Sequence, residues 1–443
     1  MNKIKWLLFA VLLIFVACGA DEGLEMAEEP PIYEVYEELV VEGGEDEPII
    51  EVAPPQVGIF ARPLAEYLKD LDFMYYIITN NFPLINVIER RAGIDIHQLF
   101  ADARLALENV HEMPSDDDFW MFLSENITWP VGGLGHFSLP NPRGLLNIYG
   151  PMVQLGHIEL LPHVEIFDNP STRAFYNLTD DDFIFDHIET PEDAQVPATG
   201  NVEMLILTEN IAYARIRTFY NGFMQYDSAV LLDFYREVAD FEHLIIDIRS
   251  NAGGAVRHFL ENVMSPNISE PLTARFYQLF SSHPHNMMFL ESRLSATDWE
   301  IRPIDEELLE RLVYLNHDDL ELLDSYFVQE VTVMPSQPEP IFGGKIWLVV
   351  DRLVSSSAEA ATQMTQETGF ATIVGEPTGG DGIGFDSLIA TLPNTGIAVW
   401  YSSLYGTDAL GRNNQEFGTT PDILLNMEFG TITALLDIIR NWE

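Results

Sequence analysis

The chain has 443 residues, enough for about two or three domains with a sizeable core. Its 47% hydrophobic and 21% charged residues describe a globular protein. A formal net charge of -48 and a pI near 4.2 argue against nucleic acid or an anionic membrane surface as a partner.

Lys3 and Lys5 precede an apolar run over residues 6–17 that is too short to span a bilayer as a mature helix, so residues 1–17 read as an export signal. Cys18 follows at once and is the only cysteine, which rules out an intrachain disulfide. The tetrad Phe15-Val16-Ala17-Cys18 resembles the lipobox of bacterial lipoproteins, with Phe15 where Leu is usual. That resemblance implies cleavage before Cys18 and a diacylglycerol anchor on its sulfur, holding the protein on the extracytoplasmic face of the cell membrane. A plain cleaved signal or an uncleaved anchor is the alternative. Residues 18–58 are rich in Glu and Pro, carry no Lys or Arg and show no sustained apolar period, so they read as an acidic tether.

The pattern changes at Pro63. Leu64, Tyr67, Leu68, Leu71, Met74, Tyr75 and Ile78 recur at intervals of three and four, which predicts an amphipathic helix ending before Asn80-Asn81-Phe82-Pro83. The period returns over 99–110, and a third helix starts at Asp116 behind the cap candidate Ser115. Residues 59–130 therefore read as a small helical domain, followed over 131–200 by the glycine-rich Gly132-Gly133-Leu134-Gly135-His136-Phe137-Ser138 and a connecting region of loop signals. Two paired strands are expected over 204–207 and 211–216, a helix over 226–238 and a buried strand over 243–248. Arg249-Ser250-Asn251-Ala252-Gly253-Gly254 then turns into a helix over 255–263. After a mixed insertion at about 267–343 with a helix over 306–314, the apolar run 346–350 reads as another buried strand. Ser355, Ser356 and Ser357 sit where that strand hands over to a helix over 358–367 closed by Gly369, with a strand over 370–374 beyond. A late strand over 397–402 and a helix over 431–442 close the chain. Strand, glycine turn, helix, then strand, serine turn, helix, strand is an α/β arrangement with parallel strands, in a core spanning 201–430.

A serine hydroxyl at a strand-to-helix turn faces unpaired N–H groups and the positive end of the helix dipole, where an oxyanion is stabilised. Ser356 to Glu359 also fits a capping box, with Ser356 accepting from the N3 amide and Glu359 reaching back. Glycines at 253 and 254 leave backbone N–H groups uncovered, although an ordinary strand-to-helix turn needs glycine too.

Taken together and in order, Leu244 through Gly254, Val350-Asp351-Arg352 with Ser356-Ser357-Ala358-Glu359, Val374-Gly375-Glu376-Pro377-Thr378-Gly379-Gly380, and Gly418-Thr419-Thr420-Pro421-Asp422 resemble the tail-specific protease family of serine peptidases. That family includes C-terminal processing proteases and the tricorn core. The resemblance covers about half the chain. It implies an α/β peptidase core with a mixed, partly parallel, crotonase-like sheet flanked by helices and preceded by the helical domain. It further implies hydrolysis of peptides or unfolded protein segments without metal or cofactor, with Ser356 as nucleophile. The Ser357 amide and Gly253, Gly254 or both would form the oxyanion hole.

Processing proteases of the family use a Ser-Lys dyad, but the lysine position here holds Asp381 and no Lys follows Lys345. The tricorn-like branch uses a His before its core, and among 11 histidines His136 best resembles that motif, with His157 as fallback and His283 and His285 in the insertion. Imidazole is suited to both general base and general acid roles near neutral pH. The branch also places a Glu three residues before the Gly-x-x-Pro-Asp motif. Glu416 lies two before Gly418 and Gln415 three before, so either residue, or neither, orients the imidazole. Asp247 and Arg249 read as supports of the turn. Residues 139–200 are short for the PDZ module the family often carries, and the segment 379–384 lacks the Lys and helix of a phosphate loop. A non-catalytic ligand-binding lipoprotein on the same scaffold and an esterase are the competing readings.

Overall fold

The computed structural model describes residues 59–185, 200–384, 387–425 and 431–441. The segment expected to be an export signal, Cys18 and the acidic stretch to residue 58 lie outside them.

Strands β1 (Val202–Ile206) and β2 (Ile211–Ile216) form an antiparallel hairpin, and β3 (His243–Asp247) joins β2 in parallel. The insertion then leaves this sheet to build β4 (Leu272–Phe280), β5 (Arg302–Pro303) and β6 (Ser325–Val333), all antiparallel. The chain returns with β7 (Lys345–Val350) beside β3 and β8 (Thr372–Gly375) beside β7, both parallel. An antiparallel pair follows, β9 (Leu388–Thr391) and β10 (Ala398–Tyr401), then β11 (Tyr405–Thr407) on β4 and β12 (Ile423–Leu424) on β8. The main sheet thus runs β1-β2-β3-β7-β8-β12, mixed and mostly parallel.

The central strands read as continuous apolar runs because both faces of the sheet are covered. Leu244, Ile246, Leu348 and Val350 pack on one side, and Ile245, Trp347, Val349 and Val374 on the other, where the closing helix Thr431–Arg440 lays Leu435 and Ile439 against them. Three helices of the N-terminal segment follow the periodicity, and a fourth at Ile85–Ala92 is one that the periodicity does not predict. Helices α1 (Leu64–Asn81), α2 (Ile85–Ala92), α3 (Ile96–Glu108) and α4 (Asp116–Leu123) follow in order, with Asp95 and Ser115 accepting from backbone N–H groups as caps of α3 and α4.

These helices do not bury a core of their own. Their apolar faces share one cluster with Tyr277 and Leu279 of β4, with residues of β9 and β10, and with Tyr401 and Tyr405. The buried Asp70 of α1 ties the two parts, its carboxylate accepting from Asn394 N and Thr395 N at 2.8 Å each and from the Thr395 hydroxyl at 2.6 Å. Early chain and late chain are therefore joined directly, and the glycine-rich segment at 132–138 ends on the late chain.

Candidate active site

Ser356 occupies the turn between β7 and α5 (Ser357–Thr368) with φ 54° and ψ -130°. A non-glycine residue in this region is strained, and such strain persists only where the surroundings hold it. Ser356 N donates to Gly380 O at 3.3 Å and Ala360 N to Ser356 O at 2.9 Å, beside a bridge between Ser355 and Gly380. The capping box does not form: Ser356 makes no side-chain cap bond. The fully buried Glu359 carboxylate instead accepts from Asn414 Nδ2 at 2.7 Å and Thr419 Oγ1 at 2.6 Å, and burial pushes its carboxyl above the ordinary range. The half-buried Ser356 hydroxyl is left off the helix end.

The turn after β3 closes on this serine. A Cβ at Gly253 would lie 2.8 Å from Ser357 N and 3.0 Å from Ser356 Cβ, so only glycine permits the approach. Gly253 N already donates to Asn251 Oδ1 at 2.9 Å, which corrects its expected role as an oxyanion donor. The N–H groups of Gly254 and Ser357 have no partner among the described residues and are free to donate. Asp247 and Arg249 support the turn from below: Arg249 donates to the buried Asp247 carboxylate, which also accepts from Tyr213 Oη at 2.8 Å.

His136 arrives from the other end of the chain. Its loop is pinned to β10 by Ser138 N to Trp400 O at 3.0 Å and Trp400 N to Ser138 O at 2.9 Å, and to the next turn by Ser402 N to Gly135 O at 2.7 Å. Gly135 has φ 61°, and a Cβ there would meet Leu84 and Phe82 at 2.7 Å. Phe137 is fully buried with its ring 5.8 Å from that of Phe82. The imidazole, also at positive φ (59°), lies edge-on to Trp400 at 4.9 Å. His136 Nδ1 pairs with Asp381 Oδ2 at 2.8 Å and lies 3.4 Å from Ser402 Oγ. His136 Nε2 has no partner among the described residues. Burial alone would lower the pKa of the ring, but the hydrogen bond to Asp381 and its charge outweigh burial and raise it above the ordinary value.

Asp381 was missed as a candidate carboxylate, although its place at the family's lysine position was the available signal. It directly follows Gly380, whose carbonyl accepts from Ser356 N, so the Ser356 backbone and the His136 imidazole attach to adjacent residues of one segment. Gln415 Nε2 donates to Asp381 Oδ1, and Gly382 N donates to Asn414 Oδ1 at 2.8 Å. Glu416 points elsewhere. Asn413 caps the short helix Asn414–Phe417, and successive residues on a helical turn diverge by about 100°. Gln415 thus meets Asp381 while Glu416 takes Arg90 of α2 at 2.7 and 2.8 Å. Arg90 also forks onto the buried Asp319 at 2.7 and 3.0 Å, and the two carboxylates, Glu416 foremost, raise its pKa. Orientation of His136 by Glu416 is corrected on this ground.

The remaining histidines lie in other environments. His157 pairs with Glu159 at 3.0 Å, His283 with Tyr76 Oη at 3.0 Å, and the buried His285 with Ile389 O at 3.1 Å, its pKa lowered by burial to about 4. Among the described residues no cluster of His, Cys, Asp and Glu is suited to hold a metal ion.

Residues 210–425 match the sequence profile of peptidase family S41. No curated protein sequence matches the chain significantly. Among solved structures, mature CPAF complexed with lactacystin is similar at 14% identity, covering 85% of this chain and 98% of that one with a TM-score of 0.52. A candidate peptidase from Parabacteroides merdae ATCC 43184 is similar at 16% identity, covering 85% and 97% with a TM-score of 0.50. At such identities the likeness shows the fold.

Proposed function

This chain belongs to peptidase family S41, the tail-specific serine proteases, and from that premise we propose that it hydrolyses peptide bonds through Ser356, His136 and Asp381. The observation that carries the reading is the His136 to Asp381 pair at 2.8 Å, one residue from the carbonyl that holds the strained Ser356 backbone. With Nδ1–H donated to Asp381, Nε2 is the lone-pair nitrogen, the tautomer a general base requires.

Ser356 Oγ attacks the scissile carbonyl as its proton passes to His136 Nε2, and the carbonyl oxygen becomes an anion between Gly254 N–H and Ser357 N–H. Collapse of the tetrahedral intermediate breaks the C–N bond, and the imidazolium returns its proton to the leaving amine. Water, deprotonated by the same nitrogen, then attacks the acyl-enzyme, and as the acyl C–O bond to Ser356 breaks the imidazolium returns that proton to Ser356 Oγ, releasing the carboxylic product. Asp381 holds the ring through Nδ1 and stabilises the imidazolium that forms.

The substrates are peptides or unfolded protein segments, and the enzyme acts at the extracytoplasmic face of the membrane, anchored by lipid on Cys18. Unfolded casein incubated with the full-length protein should give fragments detectable by mass spectrometry, and Ser356→Ala should give none. Cleavage of short acyl esters but not of casein would turn the assignment to an esterase. Cleavage of neither would leave the binding-lipoprotein reading. Detergent-phase partition of protein expressed in bacteria, lost in Cys18→Ala, tests the anchor.

A further inference from the structure

A second histidine–carboxylate pair lies behind the Gly253-Gly254 turn. His258 Nε2 and Asp227 Oδ2 are 2.7 Å apart, and both side chains are 0% exposed. The His258 ring stacks on Phe219, centroids 5.3 Å apart and planes at 19°. Asn201 Nδ2 donates to the same Asp227 oxygen at 2.6 Å and to Thr218 O at 2.9 Å, while Thr218 N donates to Asn201 Oδ1 at 3.1 Å. Thr218 and Phe219 in turn grip the glycine turn. Thr218 Oγ1 and Phe219 N donate to Gly253 O at 3.2 and 2.9 Å, and Ala255 N donates to Phe219 O at 2.8 Å. A Cβ at Gly254 would fall 2.3 Å from Phe219 O, so the two backbones are in direct contact.

Taking an ionisable pair fully out of water is costly, and apolar residues of similar volume often serve stability as well. What polar groups supply here is direction. Asp227 Oδ1 and His258 Nδ1 have no partner among the described residues, so the pair's hydrogen bonds run to each other and, through Asn201, to the segment holding the turn. With Gly253 O and Ala255 N both tied to residues 218–219, the orientation of the intervening Gly254 N–H follows theirs.

We infer that Asn201, Asp227 and His258 form a positioning network that aims Gly254 N–H into the oxyanion hole and thereby sets kcat, an inference that rests on the peptidase reading above. Oxyanion donors act only when held in place before the reaction, and loss of one costs about 10²–10³ in kcat. A misaimed donor should therefore cost about 10–100-fold.

The test uses the full-length protein, with casein turnover, the rate of Ser356 labelling by a fluorophosphonate, and the melting temperature as readouts. His258→Leu and Asn201→Ala should lower kcat and the labelling rate together by about 10–100-fold, with KM within about twofold. Thr218→Val, which removes only the hydroxyl on Gly253 O, should lower both by about 3–10-fold. His258→Gln should stay within about threefold of wild type because its amide N–H donates from the same place. Folded variants with wild-type kcat and labelling and only a lowered melting temperature would overturn the inference while leaving the peptidase reading intact. Should the first two variants not fold, Asp227→Asn, which keeps the shape but weakens the acceptor shared by Asn201 and His258, overturns it equally if kcat and labelling are unchanged. Absence of labelling in wild-type protein would instead remove the peptidase reading, and this inference with it.

Discussion

Two histidine–aspartate pairs bear on the turns around Ser356, one at Asp381 and one behind Gly253-Gly254, and they differ in what they leave open. His136 and Asp381 meet at 2.8 Å with 26% and 23% of their side chains exposed, whereas His258 and Asp227 meet at 2.7 Å with none. Distance does not separate them. Access does: His136 Nε2 is left unpartnered at a half-exposed position, on a loop held at positive φ, while His258 points Nε2 inward at its own carboxylate. On the proposed reading the first pair exchanges a proton with a substrate, and on the inferred one the second holds backbone. A short histidine–carboxylate contact is by itself no mark of catalysis, and an unpartnered ring nitrogen at a partly exposed position, rather than a fully buried one such as His258 Nδ1, is the more telling feature.

The comparison is sharpened first by removing the group it is meant to serve. Ser356→Ala should lower peptide hydrolysis by about 10⁴-fold or more, with a melting temperature close to that of wild type because the Cβ and the backbone conformation are kept and the hydroxyl makes no cap bond. His136→Ala should cost about as much, since nucleophile and base act as a unit, well beyond the loss expected for His258→Leu.

Asp381→Asn should lower kcat by about 10²–10⁴-fold. It should also move the acid limb of the pH profile. Because Asp381 raises the pKa of His136, the wild-type base becomes neutral only above the ordinary histidine value, and activity rises through that point. Without the carboxylate the raising influence is gone and burial remains, so the limb shifts to lower pH. A limb that stays in place would show that another group carries it.

Smaller effects belong to carboxylates committed elsewhere. Glu416→Gln should keep kcat within about threefold, because its carboxylate serves Arg90 rather than the imidazole. Arg90→Met leaves the buried Asp319 with Tyr405 Oη at 2.6 Å but without its cation, and should lower stability by on the order of 2 kcal/mol in chemical denaturation.

How much of this was legible in the sequence follows from how local each feature is. The strand-turn-helix units around Gly253 and Ser356 are written in apolar runs and glycines, and the mixed, partly parallel sheet follows from their order. The helices at 64–81 and 116–123 are equally local. Their merger into one core with β9 and β10 is not, because it depends on long-range partners such as Asp70 with Thr395. The same distinction runs through the site. His136 stands out by its glycine-rich loop, while Asp381 acquires its place from Gly380 pairing with Ser355 and from Gln415 reaching across. Glu416 misled because counting residues to Gly418 does not reveal the helical turn at 414–417 that directs neighbouring side chains apart.

The central claim is that His136, oriented by Asp381, activates Ser356. Peptide mapping by mass spectrometry after fluorophosphonate treatment measures this directly. The expected result is a single adduct on Ser356 in wild-type protein and a rate of adduct formation at least about 100-fold lower in His136→Ala. An adduct on a different residue, or equal labelling of Ser356 in both proteins, would contradict it.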